Sequence, residues 1–167
     1  MRAALGFAAT VLASSLAIEA RAQDASPWQQ DGHSAVRLLA GSRSGAVLLG
    51  GIAFQLQPGW KTYWRTPGDS GVPPRFDFSK SENIDAVTVL WPAPTKFDDG
   101  AGGHSLGYHN QIVLPLRIVA KNADKPVTLR AVINYAVCEK LCIPVEANAE
   151  LAFTSVASTQ DLSLIHI

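Results

Sequence analysis

From residue 34 onward, short runs of β-branched and aromatic residues alternate with clusters of Gly, Pro, Asn and Asp, a pattern typical of strands and turns. Helical periodicity is nearly absent from the same region. The runs predicted to be strands are Ser34–Leu39, Ala46–Gln57, Lys61–Arg65, Arg75–Phe78, Ala86–Trp91, Ile112–Ala120, Val127–Val137 and Val145–Phe153. Roughly eight short strands with no helices between them predict an all-β fold, an immunoglobulin-like antiparallel β-sandwich.

Two connections between these runs are long and rich in Gly and Pro, at residues 66–74 and 92–111. A loop of about twenty residues in a compact domain is usually functional or disordered, so we expect the second to be a functional loop. Its adjacent acids Asp98 and Asp99 are expected to form a solvated turn. Ser70 lies between two glycines of the first connection and is also expected to belong to a turn.

The N-terminus has the composition of a secretory signal peptide. Arg2 precedes an uncharged stretch from Ala3 to Ile18, and an A-x-A cleavage site ends at Ala22. The stretch is shorter and less apolar than the ~20 residues that a membrane-spanning helix needs. We therefore expect a signal peptide over residues 1–22, an exported domain over 23–155, and a tail of uncertain origin over 156–167.

The charge of the chain narrows the choice of partners. The 14 basic and 14 acidic side chains balance, and no block of Lys or Arg is present. A protein that binds nucleic acid uses clustered basic residues to neutralise phosphates, so we expect no nucleic-acid partner. The 47% of hydrophobic residues is enough for a true core, so the fold does not need a covalent staple.

The chain contains 2 cysteines, Cys138 and Cys142, at the border between two predicted strands. In an exported protein such a pair can form and keep a disulfide. The Cα atoms of a disulfide lie about 4.4 to 6.8 Å apart, whereas four extended steps would span roughly 13 Å. The chain must therefore double back, and one helical turn ended by Pro144 would satisfy this distance.

Three interpretations of the pair remain open. A structural bridge around a loop of about five residues would contribute only roughly 2 kcal/mol, whereas a redox-active bridge must open and close readily. A copper or zinc site would combine the cysteines with histidine nitrogens. Its candidate ligands are His33, His104 and His109. The aromatic residues of the strand regions are instead expected to pack in and around the core. They are Trp60, Tyr63, Trp64 and Trp91.

Several motifs in order resemble a known family. They are Gly59-Trp60-Lys61-Thr62-Tyr63-Trp64-Arg65-Thr66-Pro67-Gly68-Asp69-Ser70-Gly71-Val72-Pro73-Pro74, then Trp91-Pro92-Ala93-Pro94, Gly107-Tyr108, Leu114-Pro115, and Val137-Cys138 to Cys142-Ile143-Pro144. Together they resemble the N-terminal periplasmic domain of DsbD-type thiol:disulfide interchange proteins, including the ScsB group. The resemblance covers roughly residues 28 to 153.

The resemblance implies an immunoglobulin-like domain that relays electrons to oxidised periplasmic proteins. The electrons would come from a membrane electron-transfer domain through a thioredoxin-like redox domain, with no cofactor because the sulfurs carry them. Cys138 and Cys142 would be the catalytic pair, and Cys142 would form the mixed disulfide. A mobile cap loop with an aromatic ring would cover the pair, for which we assign Phe97 to Tyr108. The chain would be an N-terminal portion of a membrane-anchored protein or a free-standing version.

Overall fold

The computed structural model describes residues 24–99 and 102–153, so the expected signal peptide and C-terminal tail lie outside the described residues. The described part of the chain contains strands and no helix. In chain order the strands are β1 (Gln29–Asp31), β2 (Ser34–Ser44), β3 (Val47–Leu56), β4 (Lys61–Gly68), β5 (Arg75–Asp77), β6 (Ile84–Val89), β7 (Thr95–Asp98), β8 (His104–His109), β9 (Gln111–Ala120), β10 (Val127–Cys138) and β11 (Cys142–Phe153).

The strands form two antiparallel sheets that face each other. The first sheet has the order β1-β2-β3-β9-β6, and the second has the order β11-β10-β4-β8-β7, with β5 also paired to β10. Side chains along β11 alternate between buried and exposed from Val145 to Phe153, as expected for a strand with one face on a core. The chain is therefore an antiparallel β-sandwich of immunoglobulin-like type, as predicted.

The core lies between the two sheets and draws on both of them. Its largest fully buried side chains are Phe54, Leu38, Leu48, Ile52, Leu114, Leu116, Ile118, Leu129, Ile133, Leu151, Val36 and Val127. Burying one such side chain contributes about 1.5–3 kcal/mol to the stability of the folded state. Together these side chains hold the two sheets against each other as a frame. Functional side chains on the outer faces of the sheets are held by this frame.

All eight predicted strands are present, but two predictions about connections are wrong. The segment 92–111 is not one long loop, because it contains the hairpin of β7 and β8, which joins the second sheet through β4. The connection 66–74 is also shorter than expected, since β4 continues to Gly68. Strand β1 was not predicted. It is a three-residue strand of polar residues with no alternation to reveal it.

Candidate redox site

A disulfide bond joins the last residue of β10, Cys138, to the first residue of β11, Cys142. These residues are the final pair in the β10–β11 register, and their Cα atoms are 4.1 Å apart. The chain doubles back between them as predicted, but through a β-hairpin whose tip is residues 139–141 rather than through a helical turn. Antiparallel pairing brings the two cysteines together directly, so no helical turn is needed.

The two cysteines differ in their access to solvent. Cys138 is 2% exposed, whereas Cys142 is an exposed residue. Successive side chains on β10 point to opposite faces, so Cys138 lies on the outer face of the sheet while Val137 belongs to the core. On the outer face Cys138 forms a small buried cluster with Tyr63 and Ala136. Cys142 is therefore the more solvent-accessible residue of the pair.

Tyr63 of β4 contacts the exposed cysteine. Its hydroxyl oxygen lies 3.4 Å from Cys142 Sγ, and because a disulfide sulfur carries no proton, the hydroxyl donates to it. Burial raises the pKa of Tyr63 above its ordinary value of 10.0, and the negative charge of Asp99 raises it further. The hydroxyl is thus protonated at neutral pH and stays a donor.

Lys61 lies two residues before Tyr63 on the same face of β4. In the register it is opposite both Cys138 on one side and His109 on the other. Its Nζ donates a hydrogen bond of 3.0 Å to Ser105 Oγ. It also lies 5.9 Å from the centre of the Tyr63 ring, which places a positive charge beside the ring that contacts the disulfide.

Asp99, which directly follows β7, links its own loop to the loop after β4 beside this lysine. Its carboxylate is 3.6 Å from Lys61 Nζ and accepts hydrogen bonds from the hydroxyls of Ser70 and Ser105. The hydrogen bond from Ser70 is the main cause that lowers the pKa of Asp99, and the charge of Lys61 acts in the same direction. Asp98 ends β7 and Asp99 follows it, and both residues are exposed, as expected, although the Asp99 carboxylate is held in place by these contacts.

The candidate cap segment does not contribute the ring that contacts the cysteines. Phe97 packs against His109, with ring centres 5.9 Å apart, and lies under Lys61 Nζ. Tyr108 points into the core and donates a hydrogen bond of 2.7 Å to the carbonyl oxygen of Pro92. The four aromatics expected to pack in and around the core do so: Trp60, Trp64 and Trp91 pack against the main core, and Tyr63 is buried in the smaller cluster with Cys138.

The residues proposed for a metal site are spread over the surface. His33 stacks on Trp60 with ring centres 3.8 Å apart, and His104 Nδ1 is 3.5 Å from a carboxylate oxygen of Asp69. Within the described ranges, no three His, Cys, Asp or Glu side chains are grouped so that they could hold a metal ion. The three histidines and the cysteine pair are therefore not brought together into one ligand set.

Comparisons with solved structures found several chains to which this one is similar. The N-terminal periplasmic domain of ScsB from Proteus mirabilis is 30% identical with a TM-score of 0.65, over 77% of this chain and 51% of that one. The reduced N-terminal domain of DsbD from Neisseria meningitidis is 16% identical with a TM-score of 0.45, over 71% of this chain and 84% of that one. The yeast GGA1 GAE domain is 12% identical with a TM-score of 0.44, over 75% of this chain and 97% of that one.

This chain thus spans about half the length of the ScsB domain. No curated protein matched it. In the described part of the chain there is no helix long and apolar enough to cross a bilayer. The sequence model of the family described as "Thiol:disulfide interchange protein DsbD, N-terminal" matches residues 33–154, which is well over half of the chain. The chain therefore belongs to the family of DsbD N-terminal thiol:disulfide interchange domains.

Proposed function

We propose that this chain is a protein-disulfide reductase domain whose reactive group is the Cys138–Cys142 disulfide. The observation that carries the proposal is the unequal exposure of the two cysteines, one buried and one exposed, at the tip of a hairpin. An exposed sulfur is open to attack by a partner's thiolate. A buried neighbour is protected from outside thiols and is well placed to close the bond again.

The reduction of the domain proceeds in two exchanges. A thiolate of the donor attacks Cys142 Sγ, the bond to Cys138 breaks, and Cys138 leaves with the electron pair as a thiolate that then takes up a proton. The donor's second thiolate then attacks the donor's first sulfur, which is bonded to Cys142. This closes a disulfide within the donor and releases Cys142 as a thiolate. The domain now holds a dithiol and the donor a disulfide, so two electrons have moved.

The return half-reaction uses the same sulfurs in reverse. The Cys142 thiolate attacks one sulfur of a disulfide in an oxidised acceptor protein and forms a mixed disulfide, while the acceptor's other sulfur leaves as a thiolate and takes up a proton. The Cys138 thiolate then attacks Cys142 Sγ, reforms the intramolecular bond and releases the reduced acceptor. The Tyr63 hydroxyl supports both halves, because a hydrogen bond to a charged sulfur is stronger than one to a neutral sulfur.

The proposed setting is the periplasm, after removal of residues 1–22 as a signal peptide. The donor would be a thioredoxin-like domain supplied by a membrane electron-transfer domain, and the acceptors would be oxidised periplasmic proteins. The description of the related ScsB domain as periplasmic supports this setting. Expression in a bacterial host tests it, since cleavage after Ala22 would yield a periplasmic protein that begins at Gln23.

The redox role is tested with glutathione. The purified chain is equilibrated in buffers of reduced and oxidised glutathione, and the dithiol fraction is measured by alkylation. A redox-active pair is expected to titrate within the range of such buffers. A potential below about −300 mV would instead indicate a structural bridge and contradict the proposal.

The roles of the two sulfurs are tested with a matched pair of variants. In Cys138→Ala the exposed Cys142 is the remaining thiol, and in Cys142→Ala the buried Cys138 remains. Mixed-disulfide formation with oxidised glutathione, followed by mass spectrometry, is expected to be at least about tenfold faster in Cys138→Ala, because Cys142 is accessible. Equal rates, or a faster reaction of Cys138, would overturn the assignment of Cys142 as the attacked sulfur.

A further inference from the structure

A hollow lies on the outer face of the first sheet, which is the sheet that does not carry the cysteines. On β2, Val36 and Leu38 enter the core, so Arg37 between them lies on the outer face. In the register Arg37 is opposite Ala53 of β3, which is in turn opposite Val113 of β9. Because Ala53 is smaller than its neighbours, a space of about 330 Å³ remains above it. Ligand pockets measure roughly 300–1,000 Å³, so the hollow is large enough for a small ligand.

The hollow combines apolar walls with a few polar groups. Its lining includes the apolar Trp28, Leu39 and Val113 and the polar Arg37, Gln55 and Gln111, and we call it the Arg37 pocket. Gln55 and Gln111 are opposite each other in the β3–β9 register, so their amides lie side by side. None of the described residues that line the pocket is acidic. The pocket therefore presents one positive charge on a mainly apolar surface.

The guanidinium of Arg37 is held in place and keeps an unused donor. Its Cζ lies 4.4 Å from the centre of the Trp28 ring, so the planar group stacks on the indole. The Nε atom is buried and has no hydrogen-bond partner among the described residues. Ion pairs in the described part of the chain are formed by Lys61, His104 and Arg130, and none involves Arg37. A buried donor normally has an acceptor, so Arg37 is positioned for an acceptor from outside the chain.

The shape of this donor favours a carboxylate over other anions. A guanidinium group donates two parallel hydrogen bonds to the two oxygens of a carboxylate. A phosphate dianion is commonly bound by rows of backbone N–H groups or by several cations, whereas this pocket offers one cation and two neutral amides. The apolar walls add a preference for a ligand with an uncharged carbon body beside its carboxylate.

We propose that the Arg37 pocket binds a carboxylate ligand with an apolar body. Arg37 holds the carboxylate, the amides of Gln55 and Gln111 contact the polar part next to it, and the apolar walls cover the body. A free carboxylic acid and the C-terminus of a peptide share this chemistry. The pocket and the disulfide lie on different sheets, so the inference does not depend on the proposed redox function.

The test titrates the chain with N-acetyl-L-phenylalanine and follows the ¹H–¹⁵N NMR spectrum. A Kd of about 1 mM or tighter is expected for a ligand of this size, with a shift of the Arg37 Nε–H resonance. That resonance is identified by its loss in Arg37→Gln. The matched probe is N-acetyl-L-phenylalaninamide, which has no carboxylate and should bind at least about tenfold more weakly.

A third probe distinguishes the two sources of the carboxylate. It is an acetylated tripeptide of two alanines followed by phenylalanine, with a free C-terminus. Tighter binding of the tripeptide than of N-acetyl-L-phenylalanine would support the pocket as a site for a peptide C-terminus. Equal or weaker binding would support it as a site for a free acid.

Variants separate the charge, the planar fork and the space. Arg37→Gln removes the charge and should weaken binding of N-acetyl-L-phenylalanine at least about tenfold, whereas Arg37→Lys keeps the charge without the fork and should weaken it about threefold or more. Ala53→Val fills the floor with a residue suited to a strand and should weaken binding at least about fivefold. Arg75→Gln is the control, since Arg75 is an exposed arginine on β5 of the second sheet, and it should stay within about twofold of wild type.

Equal affinity of the wild-type chain for the acid and the amide would overturn the inference, and this comparison requires no variant to fold. Unchanged binding in Arg37→Gln or Ala53→Val, or an equal loss in Arg75→Gln, would also overturn it. The same holds if the Arg37 Nε–H resonance does not move up to about 20 mM N-acetyl-L-phenylalanine, well above the expected Kd.

Discussion

Replacing Tyr63 with phenylalanine removes the hydroxyl that donates to Cys142 Sγ and keeps the ring that fills the outer cluster. A hydrogen bond to a neutral acceptor contributes about 1 kcal/mol and one to a charged acceptor about 1.5–3 kcal/mol. The hydroxyl therefore favours the Cys142 thiolate over the thiol by about 1.4 kcal/mol, which corresponds to about one pKa unit. Tyr63→Phe is expected to raise the pKa of the Cys142 thiol by that amount.

The measurement uses a Cys138→Ala background, in which Cys142 is the remaining thiol, and follows alkylation rate against pH. Below the pKa, a rise of one unit lowers the thiolate fraction about tenfold. The more basic thiolate is about threefold more nucleophilic, since the Brønsted coefficient is about 0.4–0.5, so exchange should slow by about threefold. Tyr108→Phe in the same background is the control, because its hydroxyl donates to Pro92 in the core.

A pKa change of less than about 0.3 unit in Tyr63→Phe would refute the argument, since it would mean that the hydroxyl does not distinguish thiolate from thiol. A fall in the pKa would refute it as well. An equal rise in the Tyr108→Phe control would show that the effect comes from a general loosening of the sandwich rather than from the contact with sulfur.

Three further predictions concern the frame and the charges around the site. Gly107→Ala should lower the free energy of unfolding, measured in urea, by about 1–3 kcal/mol, because the new Cβ would overlap the carbonyl oxygen of Thr62. Gly32→Ala is the control: it has open space around it and should change the free energy of unfolding by less than about 0.5 kcal/mol. Burial raises the pKa of Tyr108 to about 12, so its contribution to stability is complete below its ordinary pKa of 10.0 and is lost as pH rises toward 12. Tyr108→Phe should therefore reduce the alkaline loss of stability by about 2–3 kcal/mol. If the free energy of unfolding of this variant falls with pH as steeply as that of the wild type between these pH values, the raised pKa is not that of Tyr108. Asp99→Asn should lower the pKa of Tyr63 toward its ordinary value, because the negative charge of Asp99 helps to raise it, and an ultraviolet titration that shows no decrease would be inconsistent with this contact.

Strands that cover the core could be predicted from the sequence because burial imposes a period of two on their side chains. The β7–β8 hairpin could not, because it lacks this signal. Gly107 reads as a loop residue, yet it lies in β8 where the Thr62 carbonyl of β4 leaves no space for a Cβ. A glycine required by close packing and a glycine required by a turn look the same in one sequence.

The cysteine pair was visible in the sequence, but the residues around it were not. Lys61 and Asp99 are far apart along the chain and meet only through the register of β4 with β8 and the β7–β8 hairpin. Spacing along the chain carries no information about cross-strand neighbours, since the pairing of strands determines them. The sequence did show that Lys61 and Tyr63 are two residues apart on a predicted strand. That spacing indicates that their side chains share one face of β4, but not which residues lie opposite them.

The position of the disulfide at the end of a long ladder has a consequence for the working cycle. The β10–β11 register runs through twelve residue pairs from Val127↔Phe153 to Cys138↔Cys142, and the sulfur bridge spans only the last of them. When that bond opens, we expect the remaining pairs and the core beneath them to stay in place, because none of them depends on the sulfur bridge. If the proposed redox function holds, the domain passes between its oxidised and reduced forms without refolding, and each turnover requires only the reorganisation of a few residues at the hairpin tip.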